Sequence, residues 1–517
     1  MHTKLTGLCV HLEAIALAVL FLGASNVAHA GTVNGMDDPN RVPGSFLVVL
    51  KSEHIQALKN PALSNLADKD NWRAAVAAAD TEVAHIVTKL RKAHPNVRIT
   101  AVMSHGAAPG FVLHASDDDA KAIADDDDVK EVDADSTIDA VKTIAMTNSV
   151  SPASSWGLER IDQLGGVSSS GWVNAYDWIA TGAGVDVYII DSGIMTSNVD
   201  FGGRATNDAD FIVDGNPGWC VSTLTAAAAG HGTEVASIAG GTTYGVAKQA
   251  RLHSVRVTGC NGAPDFSAFI EGLEWTANAA SNQHAIVNIS LEYLAGNLFP
   301  FSSLSQATQT FVTQSNTWLT NLAVEGVDIV IASGNNPVNG PNIDPGNSWP
   351  QDLNNYANST AVYAFVVGAT AIKSDNIWPQ TSMGTTASGD GLPNIFAPGD
   401  QVTTAWITST TATTSSQSGT SLAAPYVAGV MALAMQVSNP SDFGCDSSFY
   451  CVVEQSGYWG ALKGNVQGAF NIELSSLVPG NSAPATVTSG GTSGITVTNP
   501  WQIKAAIVAT INTLLVL

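Results

Sequence analysis

Positive charge is scarce in this chain. Its 21 Lys and Arg stand against 44 Asp and Glu, a formal net charge of −23. A nucleic-acid binder needs a basic face to neutralise phosphates, so that class is excluded. Charged residues of either sign make up only 13 % and apolar ones 45 %, so the chain can fill a large core and is no disordered polyelectrolyte. Cysteine is sparse: Cys9, Cys220, Cys260, Cys445 and Cys451, with no two in a C-x-x-C pair. That argues against a zinc knuckle or a redox dithiol. The phosphate-loop pattern G-x-x-x-x-G-K-[ST] is also missing. Beyond residue 150 histidine nearly runs out, leaving His231, His253 and His284. A hydrolase with an imidazole base therefore has three candidates. At 517 residues the chain has room for two or three domains.

Residues 1–30 read as an export signal. Lys4 starts it, an apolar stretch around Ala14–Gly23 follows, and Ala28-His29-Ala30 has the form of a cleavage site. The apolar run is short of the roughly 20 residues that a spanning helix needs. Removing it removes Cys9 and leaves four cysteines, an even number that favours disulfides in an exported protein.

Two textures follow. Over residues 44–140, Ser45–Leu50, Val97–Val102 and Phe111–His114 read as strands, residues 73–93 as a helix, and Ala120–Ala124 as a short helix. Acidic runs at Asp117–Asp119 and Asp125–Asp128 mark this small α+β unit. Over residues 150–440, short Val- and Ile-rich runs alternate with helical segments. The runs are Val185–Ile190, Leu252–Val257, Ala285–Ser290, Val327–Ala332 and Ala364–Gly368; the helices are 265–281, about 303–325 and 421–436. These runs are rich in Val and Ile and most do not alternate cleanly between apolar and polar, which predicts strands buried on both faces, hence an α/β domain with a doubly wound, mostly parallel sheet. Such folds gather functional groups beyond the carboxyl ends of their strands. Residues 441–517 form an extension with a Ser/Thr/Gly-rich spacer and an apolar tail, Ala505–Leu517. The tail reads either as a lipid-anchor signal, which would bring the chain to a membrane, or as a docking segment.

Four short segments carry chemistry. Asp191 follows the Val185–Ile190 run and precedes Ser192-Gly193, so its carboxylate sits where a buried strand ends. There it can orient an imidazole and stabilise its charged form. His231 sits in Gly-His-Gly-Thr at 230–233, ahead of a small-residue helix, whereas His253 lies inside a strand run and His284 just before one. Ser421 lies in Gly419-Thr-Ser-Leu-Ala-Ala-Pro425 at the start of another helix. Helix N-termini favour developing negative charge, and Pro425 predicts that the first turn contains it. Asn335 follows a buried strand and Gly334, where its amide can donate to an oxyanion.

Together these segments resemble the subtilisin family of serine proteases, with Asp-Ser-Gly, His-Gly-Thr, Gly-Asn and Gly-Thr-Ser-x-Ala-x-Pro in that family's order over about residues 155–437. Trp156–Asp162 resembles the start of a mature enzyme of the proteinase K branch, and Phe396-Ala-Pro-Gly399 resembles a family turn. The resemblance implies a secreted serine endopeptidase that acts on protein and peptide substrates through an acyl-enzyme. Asp191, His231 and Ser421 would form its triad and Asn335 its oxyanion donor. Ser290, Leu291, Glu292, Ser333 and Gly334 would line the substrate strands, where an extended peptide adds at an edge. The small acidic unit becomes an inhibitory propeptide, an intramolecular partner cut away somewhere in 141–150.

Departures are few. Glu234 stands where His-Gly-Thr is usually followed by histidine, and Ala424 and Tyr426 replace the usual threonine and histidine. Glu292 replaces a glycine of the substrate strand and would favour basic side chains by charge pairing. Glu234 also suggests an acid-acting relative, but such enzymes carry aspartate where this chain has Asn335. Cys220 and Cys260 resemble a disulfide of some proteinase K-like relatives, and Cys445 and Cys451 lie close together, although four cysteines allow three pairings. No cofactor is required for the chemistry. Structural calcium is common in the family but has no contiguous ligand loop here, so it stays unplaced.

Overall fold

In the computed structural model, the described residues are 32–39, 41–64, 69–106, 108–136, 155–161 and most of 176–437. Within that last span, 177, 179, 222–226, 261–265, 281–284, 292–303, 336–349, 352–363, 374–375, 384–392 and 394 lie outside the description. The export signal, the 441–517 extension, Glu292, His284, Cys445 and Cys451 all fall outside the described residues.

The small unit is a five-stranded sheet backed by two helices. Its elements are β1 (Val33–Asn34), β2 (Arg41–Leu50), α1 (Lys69–Ala93), β3 (Arg98–Met103), β4 (Gly110–His114), α2 (Asp117–Ala124) and β5 (Val129–Ser136). The strand order is β1-β5-β2-β4-β3. β2 shows why it forms: Phe46, Val48 and Leu50 enter the unit's own core with Val83, Val87 and Leu90 of α1, while Leu47 points into the next layer. Both faces of this strand are thus apolar.

The large unit carries a seven-stranded sheet in the order β12-β11-β10-β9-β6-β8-β7. The strands are β6 (Asp186–Asp191), β7 (Ala205–Asp210), β8 (Arg251–Arg256), β9 (Ala285–Ile289), β10 (Asp328–Ala332), β11 (Ala364–Thr370) and β12 (Ile395–Pro398). Every pairing in it is parallel. A two-stranded ribbon, β13 (Thr404–Ala405) with β14 (Thr413–Thr414), stands apart. One face of the sheet packs on α3 (Trp156–Ile161), α4 (His231–Gly240) and α7 (Thr420–Val437). The other packs on α5 (Phe266–Ala280) and α6 (Gln306–Val324). This is the doubly wound α/β arrangement that the apolar runs predict.

The small sheet lies on α5 and α6, so layers alternate through the molecule. Leu47, Ala101, Met103 and Val112 share one apolar cluster with Phe266, Phe269 and Phe311. Polar bonds ring that cluster. Both oxygens of Asp135 accept from the backbone N–H of Ser267 at 3.2 Å, at the start of α5. A carboxylate there meets unpaired N–H groups and the positive end of the helix dipole. Thr310 donates to Asp133 at 2.7 Å, Gln314 to the Val48 carbonyl at 3.1 Å, and Ser45 to Ser267 at 2.7 Å. His114 Nε2 lies 2.8 Å from Glu271 Oε1. Burial pushes the Glu271 carboxyl up, but hydrogen bonds from His114 and Thr100 outweigh it and hold the group low.

Candidate active site

β6 is the strand from which the chain winds both ways, with β8 on one side and β9 on the other. Open α/β sheets bind ligands beyond the strand ends at such a switch point, and Asp191 ends β6. Its Oδ1 accepts from the Ser192 N–H at 2.6 Å. His231 opens α4 and turns Nδ1 onto both carboxylate oxygens, 2.8 Å from Oδ1 and 2.9 Å from Oδ2. A carboxylate only accepts, so Nδ1 carries the proton. Both side chains are buried. Burial alone would lower the imidazole's proton affinity; Asp191 beside it outweighs that and raises it. Nε2, the other ring nitrogen, has no hydrogen-bond partner.

Backbone contact sets this spacing. A Cβ on Gly232 would stand 2.5 Å from the Gly193 carbonyl oxygen, and one on Gly193 would stand 2.2 Å from the Gly218 oxygen. Gly193 also has φ +92, which side-chain-bearing residues avoid. The glycines after Asp191 and His231 therefore let three main-chain segments touch.

Ser421 is the second residue of α7 and is buried, with its Oγ unpartnered. Pro425 is not in the first turn but lies deeper in the helix, which corrects the sequence expectation. The N–H that proline lacks would have bonded the Ser421 carbonyl. Ser290 compensates: its Oγ donates to that carbonyl at 3.1 Å, and it accepts from Asn288 Nδ2 at 3.0 Å. A helix can hold a proline here because a neighbouring side chain satisfies the freed acceptor.

Asn335 is oriented by Thr420. Its Oδ1 accepts from the Thr420 N–H at 2.9 Å and the Thr420 hydroxyl at 3.0 Å, and Gly334 N–H donates to that same hydroxyl at 3.0 Å. The amide oxygen faces α7, so its NH₂ is turned away from Thr420. β9 and β10 pair up to Ile289 and Ile331, then run on as Ser290-Leu291 and Ser333-Gly334. Gln351 Nε2 donates to Leu291 O at 3.1 Å and to Ala332 O at 2.8 Å, joining the two segments. Sequence reasoning missed Gln351, which carries no motif. Thr420 lay inside a quoted motif, yet its tie to Asn335 is a tertiary contact.

The remaining candidates sit apart. His253 lies 2.8 Å from Asp186 and 3.2 Å from Asp208, a structural pairing at the sheet edge. Cys220 and Cys260 form a disulfide beside the fully buried Arg256, whose guanidinium pairs with Asp210 and Asp214. Tyr426, in place of the family's histidine, bonds Ser155 at 3.0 Å and so fastens the segment leading into α3 to α7. Among the described residues no group of three or more His, Cys, Asp or Glu is placed to hold a metal ion. Nor is any described helix long and apolar enough to cross a membrane.

A sequence profile of the subtilase family matches residues 182–448. An extracellular serine proteinase of Thermus sp. (strain Rt41A) is 31% identical, over 86% of this chain and 95% of its own length. Alkaline serine exoprotease A of Vibrio alginolyticus is 30% identical over 66% of this chain and 54% of its own. A cuticle-degrading serine protease of Arthrobotrys oligospora is 29% identical over 76% and 86%. Among solved structures, a cold adapted subtilisin-like serine proteinase is 30% identical over 56% of this chain and 87% of its own, with a TM-score of 0.43. The chain belongs to the subtilase family. It is a serine protease, a hydrolase that acts on proteins.

Proposed function

We propose that this chain is a secreted endopeptidase, made as an inhibited zymogen, whose triad is Asp191, His231 and Ser421. The observation that carries this is the buried Asp191–His231 pair, with Nε2 of His231 and Oγ of Ser421 both unpartnered. An uncharged base with its proton fixed on Nδ1 is ready to accept at Nε2. His231 takes the Ser421 proton as Oγ attacks the peptide carbonyl. The tetrahedral oxyanion meets the Asn335 amide and the Ser421 N–H. His231 then returns the proton to the leaving amine, and water, deprotonated in turn by His231, releases the acyl group. An extended substrate pairs along Ser290-Leu291-Glu292 and Ser333-Gly334.

Residues 44–140 act as the inhibitory propeptide, held on α5 and α6 by the Asp133, Asp135 and Glu271 contacts described above. Residues 1–30 direct export. Two of the relatives support an extracellular setting: one is named an extracellular proteinase and another a cuticle-degrading protease.

A fluorophosphonate labels an activated serine hydroxyl. The native chain is expected to take the label at Ser421 and to cut itself within 141–150. Ser421→Ala is expected to do neither. Label retained by Ser421→Ala would defeat the assignment.

A further inference from the structure

We propose that Glu234 is a positioning residue for His231: a buried carboxyl one helical turn after the imidazole that governs how readily His231 exchanges its proton with Ser421. This deepens the triad reading given above and rests on it. Glu234 follows His231 by three residues on α4, so the two side chains share a face of the helix. It is fully buried, and its Oε2 has no hydrogen-bond partner. Its Oε1 lies 3.3 Å from Thr404 Oγ1. That hydroxyl also lies 3.2 Å from Ala405 O and has one proton to give. If it gives that proton to Ala405 O, it can only accept from Glu234, which requires a protonated carboxyl. A carboxylate with a bare oxygen in a dry interior is among the most disfavoured arrangements a protein holds, so the neutral acid fits the site.

Burial pushes the Glu234 carboxyl up to about 8, against the opposing pull of His231. The ionisable groups that act on it are His231 on its own helix and Asp191 at the end of β6. Asp200, packed against the far end of α4, is bonded to Ser237 and to the Thr243 N–H. Of the other elements packed on α4, β13 has no ionisable side chain, and the only one on α7 is Tyr426, bonded to Ser155. On β8, Arg251 and His253 are paired with Asp186, and Arg256 with Asp214.

Imidazole and carboxyl then titrate as a coupled pair. At low pH both carry a proton. After the first loss, the remaining proton is divided between Nε2 of His231 and Glu234. After the second, Nε2 is bare and Glu234 is charged. Only forms with a bare Nε2 can accept from Ser421, so the rise of kcat/KM with pH spreads over two ionisations.

The test is kcat/KM against pH for a peptide amide, using the processed native enzyme and Glu234→Gln. The native profile should need two ionisations. Glu234→Gln should collapse it to one, with its midpoint about one pH unit lower, because Asp191 is then the one carboxylate of the two acting on the imidazole proton. A Glu234→Gln profile identical to the native one overturns the inference. If Glu234→Gln does not accumulate, Thr404→Val, which removes the neighbour of Oε1, must displace the upper ionisation; an undisplaced step overturns it equally. Label surviving Ser421→Ala overturns the triad reading as well. Label confined to Ser421 beside an unaltered Glu234→Gln profile overturns this inference alone.

Discussion

Replacing Ser290 by alanine tests how α7 tolerates its proline. In the native chain Ser290 Oγ donates to the Ser421 carbonyl, which Pro425 cannot serve. Alanine leaves that buried carbonyl unmet, a loss of about 1–3 kcal/mol. It also removes the acceptor of Asn288 Nδ2, so the single substitution sums two effects. A double-mutant cycle separates them. In Pro425→Ala the N–H of residue 425 returns and bonds the Ser421 carbonyl whether or not Ser290 is present. The cost of Ser290→Ala should therefore shrink by about 1–2 kcal/mol in the Pro425→Ala background. Thermal unfolding of the four chains, each also carrying Ser421→Ala to stop self-digestion, reads this out. At about 2–4 °C per kcal/mol for a domain of this size, the coupling should appear as roughly 2–8 °C in Tm. An equal loss in both backgrounds would refute the account.

Asn335→Ala should lower kcat by about 10²–10³ with little change in KM, since the oxyanion exists only after attack; a change confined to KM would reassign Asn335 to substrate binding. Burial would lower the His253 pKa, but Asp186 and Asp208 outweigh it and lift it to about 9 from 6.5. The stabilisation is complete below about 6.5 and drains away as pH rises to about 9, so denaturation midpoints should fall across that window and stay flatter in His253→Gln. Matching slopes in the two chains would refute the pairing as its source. Burial raises Asp133 to about 6 and Glu274 to about 7 where the small sheet meets the helices. Carboxyls raised in the complex favour it at low pH and weaken it as pH climbs from about 4 to 7, so the cleaved small unit should inhibit less well as pH rises, and Asp133→Asn with Glu274→Gln should flatten that trend. Inhibition that strengthens with pH would contradict it.

The fold class was legible because parallel strands buried on both faces write Val- and Ile-rich runs with little alternation, as within Asp186–Asp191 and Asp328–Ala332. Strand β5 was not legible. Its sequence, Val-Lys-Glu-Val-Asp-Ala-Asp-Ser, reads as an acidic surface, yet Asp133 and Asp135 are fully buried because α5 and α6 supply their partners. β7, Ala-Thr-Asn-Asp-Ala-Asp, escaped notice for a related reason: an edge strand with exposed polar residues has no apolar signature. The candidate site residues all came from short motifs with fixed order. What holds them did not, because Ser290 to Ser421, Thr420 to Asn335, and Gln351 to Leu291 and Ala332 are contacts across distant parts of the chain. The misreading of Pro425 has the same origin. Helix rules alone place it in the first turn, and only the Ser290 hydroxyl explains why it sits later.

The touching glycines beside Asp191 and His231 act as a mechanical gauge. Main chain resting on main chain is far stiffer than a side chain leaning on a side chain, so the gap between acid and base inherits that rigidity. A methyl group added at Gly193 or Gly232 would strike backbone that has no rotamer to yield, so it would spread the acid from the base.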